Sequence, residues 1–306
     1  MSFFSTMAQG LSSMHRVRLE ASLPRAANAP DTVQIWHLNV ERWAGCAMLE
    51  RAHAVLTDAE RVRAARLRRP VARAEFIAGR GWLRILLAAS LKASGVPFDP
   101  RILPIEAGTY GKPRLAERFA AGAPVPEFNV THARGTVLIA LSQAGPVGID
   151  VEYHDDAVEA LDIARASFAP AEIAAMERAA TERERLALFY RFWTRKEATA
   201  KADGRGLRLP FDSFSVAAPG AFERGREMAI AAGAATDQAT FYLRDLPLDP
   251  GFSGAIALTR PGVPVEMNSL TGVDRLPEEL AVPCGNPIGV TDWEVPAGQR
   301  GMVTAA

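Results

Sequence analysis

Four things are scarce in this chain of 306 residues: cysteine, lysine, net charge and long apolar runs. The two cysteines, Cys46 and Cys284, have no metal-like spacing, so a zinc module and a disulfide framework are excluded and a reduced, intracellular protein is expected. No stretch approaches the roughly 18 apolar residues of a membrane span, and the first 23 residues lack the apolar core of a secretory signal. A soluble, cytoplasmic protein follows as an expectation. The 35 basic and 35 acidic side chains cancel, so no global field draws the molecule to nucleic acid or an anionic membrane. An anionic ligand would have to be held by a local cluster.

What is present is an ordinary globular composition, 48% hydrophobic and 23% charged, enough for one large core or two smaller ones. Residues 1–30 show no period and read as a tail. Alternation at 33–38 predicts a strand, and Thr57 with Glu60 has the spacing of a capping box that opens a helix to about residue 69. After Pro70 a longer helix, 71–94, sets Ile77, Trp82, Leu83 and Leu86 on a broad apolar face. Strands are predicted at 102–105, 128–131, 137–141 and 148–153, and helices at 158–166, 170–179 and 182–202. Three further strands fit 213–216, 240–243 and 254–258, after which the period fades into an extension, 263–306. A long helix and several short strands in each half predict an α+β protein of two similar lobes, 31–147 and 148–262.

Chemistry concentrates in three segments. Asp150 and Glu152 alternate on a predicted strand, so both carboxylates share one face. They are either solvated residues of a strand edge or a ligand pair for a hard divalent cation such as magnesium. On the helix 182–202, Trp193, Glu197 and Lys201 are four apart and share a face, with Lys196 about 100° round the axis. The plain alternative is an exposed ion pair beside a core indole. The third segment is Gly111-Lys112-Pro113, followed by Thr131-His132 at a strand end, a mixture of point charge, hydroxyl and imidazole suited to phosphate. Four lysines stand against 31 arginines, and Lys112, Lys196 and Lys201 all fall in these segments, where a compact ammonium rather than a planar fork is called for. The arginine run between Arg61 and Arg84 comes without stacking aromatics or a nucleic-acid motif. Arg80, after Gly79 on the apolar helix, is expected to turn inward toward an anion.

Gly-Lys-Pro at 111–113, Phe-Asn-Val-Thr-His at 128–132, Gly-Ile-Asp-Val-Glu at 148–152 and Trp-Thr-Arg-Lys-Glu-Ala at 193–198 together resemble the 4′-phosphopantetheinyl transferase superfamily. The resemblance is to the surfactin-synthetase-activator (Sfp) type, and it runs over residues 33–260. It implies a pseudo-dimer of two α/β lobes with the active site in the cleft between them. The implied reaction is magnesium-dependent transfer of 4′-phosphopantetheine from coenzyme A to a serine of an apo acyl or peptidyl carrier protein, with release of 3′,5′-ADP. Carried over residue by residue, Asp150, Glu152 and Glu197 match the metal ligands, and Lys196 and Lys201 the lysines beside the pyrophosphate. Lys112, Thr131, His132 and Arg80 match coenzyme contacts, His132 and Arg80 at the 3′-phosphate. Glu197, aided by Lys201 and Lys196, would serve catalysis, accepting the serine proton directly or through a metal-bound water. The segment 57–66 resembles the family's basic coenzyme-binding helix, but Glu60 stands where some members have lysine and Arg63 fills the next basic position. The implied protein works as a monomer, without nucleic acid or membrane partners. A non-catalytic coenzyme A or nucleotide binder of the same fold is the alternative.

Overall fold

The computed structural model describes residues 31–43, 47–116, 125–217, 226–233 and 238–270. The expected tail before residue 31, Cys46, and the extension beyond 270 with Cys284 lie outside the described residues. The architecture is mixed α+β, with six α-helices and ten strands among the described residues. No helix there is long and apolar enough to cross a membrane.

The first half opens with β1 (Val33–Asn39), then α1 (Ala47–Ala54), α2 (Asp58–Arg66) and α3 (Pro70–Ala93). Helix α2 starts where the capping box predicts: Thr57 Oγ1 accepts from the Glu60 amide at 3.3 Å and Glu60 Oε2 from the Thr57 amide at 3.0 Å. Proline at its first position starts α3, where the missing N–H costs nothing. A small hairpin, β2 (Ile105–Ala107) with β3 (Pro113–Leu115), precedes β4 (Glu127–Ala133) and β5 (Thr136–Ser142). The second half comprises β6 (Val147–Tyr153), α4 (Ala160–Ser167), α5 (Pro170–Glu177), α6 (Glu182–Asp203), β7 (Met228–Ala232), β8 (Ala239–Asp245), β9 (Phe252–Leu258) and β10 (Val265–Leu270).

Two four-stranded sheets result, ordered β10-β1-β5-β4 and β6-β9-β8-β7. Helix α3 covers the first, packing Trp82, Leu83 and Leu86 against Trp43 and Met48. Helix α6 lies on the second, with Phe192 against Phe241. A third apolar cluster unites the sheets: Val33, Ile35, Leu138 and Ala140 of the first with Val147, Ile149, Val151 and Ile256 of the second. The largest apolar side chains of this cluster each bury on the scale of 1.5–3 kcal/mol, so the halves share a core rather than merely touching.

Three expectations differ from this arrangement. Residues 102–105 do not form one strand, because Asp99 caps a 3-10 turn at Pro100–Ile102 and the ladder begins only at Ile105. Residues 213–216 form no ladder either: Phe214 O and Val216 N spend their hydrogen bonds on the side chains of Lys196 and Glu172. The predicted extension from residue 263 begins with an ordered strand, β10, which runs parallel to β1 from Val33↔Val265 to Leu38↔Leu270. Alternation there is weak (Val-Glu-Met-Asn-Ser-Leu), which hid it from the sequence.

Candidate active site

Strand β6 is an edge strand: β9 pairs with one side, and the other side faces β4 of the first sheet. An unpaired edge must satisfy its backbone groups or lose free energy. Here side chains rather than a ladder do so. Lys112 Nζ donates to Val147 O (2.9 Å), Ile149 N to Asn129 Oδ1 (2.9 Å), Lys201 Nζ to Ile149 O (3.3 Å) and Val151 N to Thr131 Oγ1 (3.4 Å). Alternation explains the spacing: Asn129 and Thr131 stand two apart on β4, as do Ile149 and Val151 on β6. The hairpin lysine, both β4 residues and the α6 lysine thus join the halves along one line.

Helix α6 reaches this edge because residue 148 is glycine. A Cβ at Gly148 would lie 2.0 Å from Ala198 O and 2.4 Å from Ala202 N, so any side chain there would push the helix away. The close approach sets Lys201 Nζ 2.6 Å from Asp150 Oδ1. Thr131 Oγ1 donates to the same oxygen at 3.1 Å, while the buried Oδ2 has no hydrogen-bond partner among the described residues. Glu152 lies two residues along, with the Trp193 indole near it.

The electrostatics are those of crowded carboxylates. Burial raises the Asp150 carboxyl above the ordinary range, against the Lys201 charge and the hydrogen bonds from Lys201 and Thr131. Glu152 is pushed up to about 7, by burial first and then by the charges of Asp150 and Glu197. Burial raises Glu197 too, with Lys201 opposing and Asp150 adding. Asp150 makes ionisation of both glutamates harder, and Glu197 makes that of Glu152 harder still. A divalent cation would relieve that strain, and the unpartnered Asp150 Oδ2 is a hard oxygen suited to it. Among the described residues no group of three or more His, Cys, Asp or Glu side chains is arranged to hold a metal ion, so the expected ligand triad of Asp150, Glu152 and Glu197 does not converge. The unpartnered Asp150 Oδ2 instead suits magnesium in its common form, held by one or two carboxylates and completed by water and substrate phosphate.

Not every predicted site residue is brought here. Lys196 is fully buried and gives its three protons to Phe211 O (2.6 Å), Phe214 O (2.7 Å) and Glu172 Oε2 (2.9 Å). Glu172, also fully buried, accepts from Ala169 N and Val216 N in addition. An ammonium with no proton to spare and no exposure cannot touch a ligand. The structure thus corrects the expectation that Lys196 lies beside the coenzyme: it braces α6 against α5 and the 211–216 segment. Arg80 is also engaged, its Nε 3.0 Å from Glu60 Oε1, while Arg84 grips the same carboxylate at 2.8 Å. Burial pushes the Glu60 carboxyl up, but the Arg84 hydrogen bond, the Thr57 amide and both guanidinium charges hold it below its ordinary range. Glu60, the departure from the basic helix, is therefore the shared counter-ion of two arginines.

Lys112 is lowered by burial, with Glu127 opposing, and spends one proton on β6. His132 stands half-exposed at the end of β4 with Nδ1 3.2 Å from Glu75 Oε2. Sequence reasoning missed Glu75, Asn129 and Glu172 as participants. Of these, Asn129 alone had a signal, its alternation with Thr131.

Residues 146–231, from β6 through α6 to β7, match the family model of the 4′-phosphopantetheinyl transferase superfamily. A 4′-phosphopantetheinyl transferase of Nostoc sp., HetI, is 32% identical over 188 residues, 60% of this chain and 75% of that protein. A putative 4′-phosphopantetheinyl transferase of Synechocystis sp. is 35% identical over 174 residues, 57% of this chain and 65% of its own length. Sfp of Bacillus subtilis, also a 4′-phosphopantetheinyl transferase by name, is 28% identical over 162 residues, 53% of this chain and 66% of that protein. The chain belongs to the 4′-phosphopantetheinyl transferase superfamily.

Proposed function

We propose that the protein transfers 4′-phosphopantetheine from coenzyme A to a serine of an apo acyl or peptidyl carrier protein, releasing 3′,5′-ADP, in the cytoplasm and as a monomer. The observation that carries this reading is the cluster of Asp150, Glu152, Glu197 and Lys201, coupled by charge at the junction of β6 and α6, inside the segment that matches the family model. The cleft between two similar lobes, 31–147 and 148–262, is the corresponding proposal for the fold, with β10 returning to the first sheet.

Asp150, with Glu152 or Glu197 beside it, would hold magnesium, water and substrate phosphate completing its ligands; when bound it would supply charge neutralisation at the pyrophosphate. Lys201 gives two protons to Ile149 O and Asp150 Oδ1, which leaves its third for a phosphate oxygen. There it stabilises the charge that builds up on the leaving 3′,5′-ADP as the phosphorus–oxygen bond to it breaks. The serine oxygen forms the new bond to phosphorus, and its proton passes to Glu197 directly or through a water. His132 reads the 3′-phosphate with the ring edge not bound to Glu75, and Arg80 of α3 is assigned to the same phosphate. Lys112 and Thr131 act through β6, keeping Asp150 in register with α6.

Incubation with coenzyme A, magnesium and a panel of apo carrier proteins, read by intact mass, tests the proposal. The expected result is one added phosphopantetheine group on at least one carrier. Coenzyme A binding with no mass gain on any carrier would instead favour a non-catalytic binder.

A further inference from the structure

Glu75 is a carboxylate on the apolar helix α3, with only 7% of its side chain exposed. A buried carboxylate costs several kcal/mol unless its lone pairs are satisfied. Its two oxygens are divided between two tasks. Oε1 accepts from Gly135 N at 2.6 Å, in the tight turn between β4 and β5 where Arg134 (φ 43) and Gly135 (φ 81) are both left-handed. Oε2 faces His132 Nδ1 at 3.2 Å. One buried group thus fixes the turn and the ring at the end of the strand leading into it.

The His132 side chain is 52% exposed, and its ring makes no other hydrogen bond or ion pair among the described residues. Nδ1 is tied inward, so Nε2 is the atom left for a ligand. A ring that donates from Nδ1 to a carboxylate can donate from Nε2 as well only as the imidazolium, with both nitrogens protonated. An anion that accepts from Nε2 therefore requires the imidazolium, and Glu75 is the counter-ion in place behind it.

We infer that Glu75 is a positioning residue for recognition of the coenzyme's terminal phosphate: it aims His132 and balances the charge with which the ring meets that phosphate. The inference rests on the proposed assignment of His132 to the 3′-phosphate. Glu75 never touches the coenzyme; it acts through the ring.

Glu75→Gln separates its two tasks. The amide oxygen still serves Gly135 N, but the amide nitrogen now donates to Nδ1 and holds the ring neutral. The KM for coenzyme A should rise on the order of tenfold, the difference between a charge-assisted and a neutral hydrogen bond, with kcat at saturating coenzyme retained. The KM for 3′-dephospho-coenzyme A should stay unchanged. Glu75→Gln added to His132→Ala should cause no further loss of discrimination, since the ring it acts through is gone. Additive losses in the double variant, or equal losses for both coenzymes, would overturn the inference. Loss of discrimination in His132→Ala but not in Glu75→Gln would overturn it alone, whereas intact discrimination in His132→Ala removes the phosphate assignment and the inference with it. Nitrogen NMR of His132 in wild-type protein bound to coenzyme A gives a second reading that needs no variant at Glu75. Imidazolium is expected, and a neutral ring contradicts the inference.

Discussion

Lys196 and Lys201 sit five residues apart on α6, and each is paired with a carboxylate, Glu172 or Asp150. They do opposite things. Around Lys196 every proton and every carboxylate oxygen is used, and neither side chain is exposed. Around Lys201 the accounts stay open: one lysine proton and Asp150 Oδ2 have no partner among the described residues, and the lysine side chain is 26% exposed. A closed ionic network holds a helix in place, whereas an open one can complete itself with a ligand. The same motif supplies both.

The largest expected effect breaks the closed network. Lys196→Met leaves Glu172 buried without its counter-charge and should cost about 3–5 kcal/mol of stability, read by urea unfolding. Lys201→Met should cost less than half of that, because Asp150, already raised by burial, can take up a proton instead. Turnover should rank the other way: folded Lys196→Met retains transfer, while Lys201→Met loses on the order of a hundredfold. Equal ranking in both measurements would dissolve the distinction.

Asp150→Ala should likewise remove at least about two orders of magnitude of turnover without unfolding the protein. A folded variant with a near-normal rate would move the chemistry elsewhere.

A chain cut after residue 264 loses β10, whose Leu270 is 6% exposed and accepts from the Trp43 indole at 3.3 Å. It should be less stable by about 2–3 kcal/mol than a chain ending at Leu270, the scale of one buried leucine with its strand contacts. Matching melting curves would show that β10 adds nothing to the first sheet.

The smallest effect belongs to Glu152 in metal-free protein. Its carboxyl is raised from an ordinary 4.5 to about 7, so the folded state binds this proton more tightly than the unfolded state. Stability therefore falls as pH rises from 4.5 to 7 and changes no further above that. Glu152→Gln should stabilise the protein at pH 8 by no more than about 1 kcal/mol, given solvent screening, and the gain should vanish near pH 4.5. An equal gain at both pH values would mean that the carboxylate charge is not its origin.

Much of this was legible before any coordinate. Local patterns carried the elements: the Thr57–Glu60 box starts α2, and the four-residue stripe of Trp193, Glu197 and Lys201 does face the Asp150 edge. Non-local pairing was not legible. That Lys196 serves structure depends on Glu172, 24 positions earlier in the chain, and on carbonyls at 211 and 214, which periodicity cannot foresee. Glu75 drew no reading from the sequence, because its partners Gly135 and His132 come from a distant hairpin. Strand β10 was hidden because its alternation fails at Asn268-Ser269 and its partner β1 lies at the other end of the described chain. Thr131 was read as a phosphate contact, whereas the fold spends its hydroxyl on Asp150 and Val151.

The central claim is that the open end of α6 is where a divalent cation and the coenzyme pyrophosphate meet. Calorimetric titration of coenzyme A into wild type and Asp150→Ala, with and without magnesium, tests it most directly. Magnesium should tighten coenzyme binding to wild type, coenzyme should tighten magnesium by the same factor, and Asp150→Ala should abolish both. Coenzyme affinity independent of magnesium in wild type, or a magnesium effect undiminished in Asp150→Ala, would contradict the account.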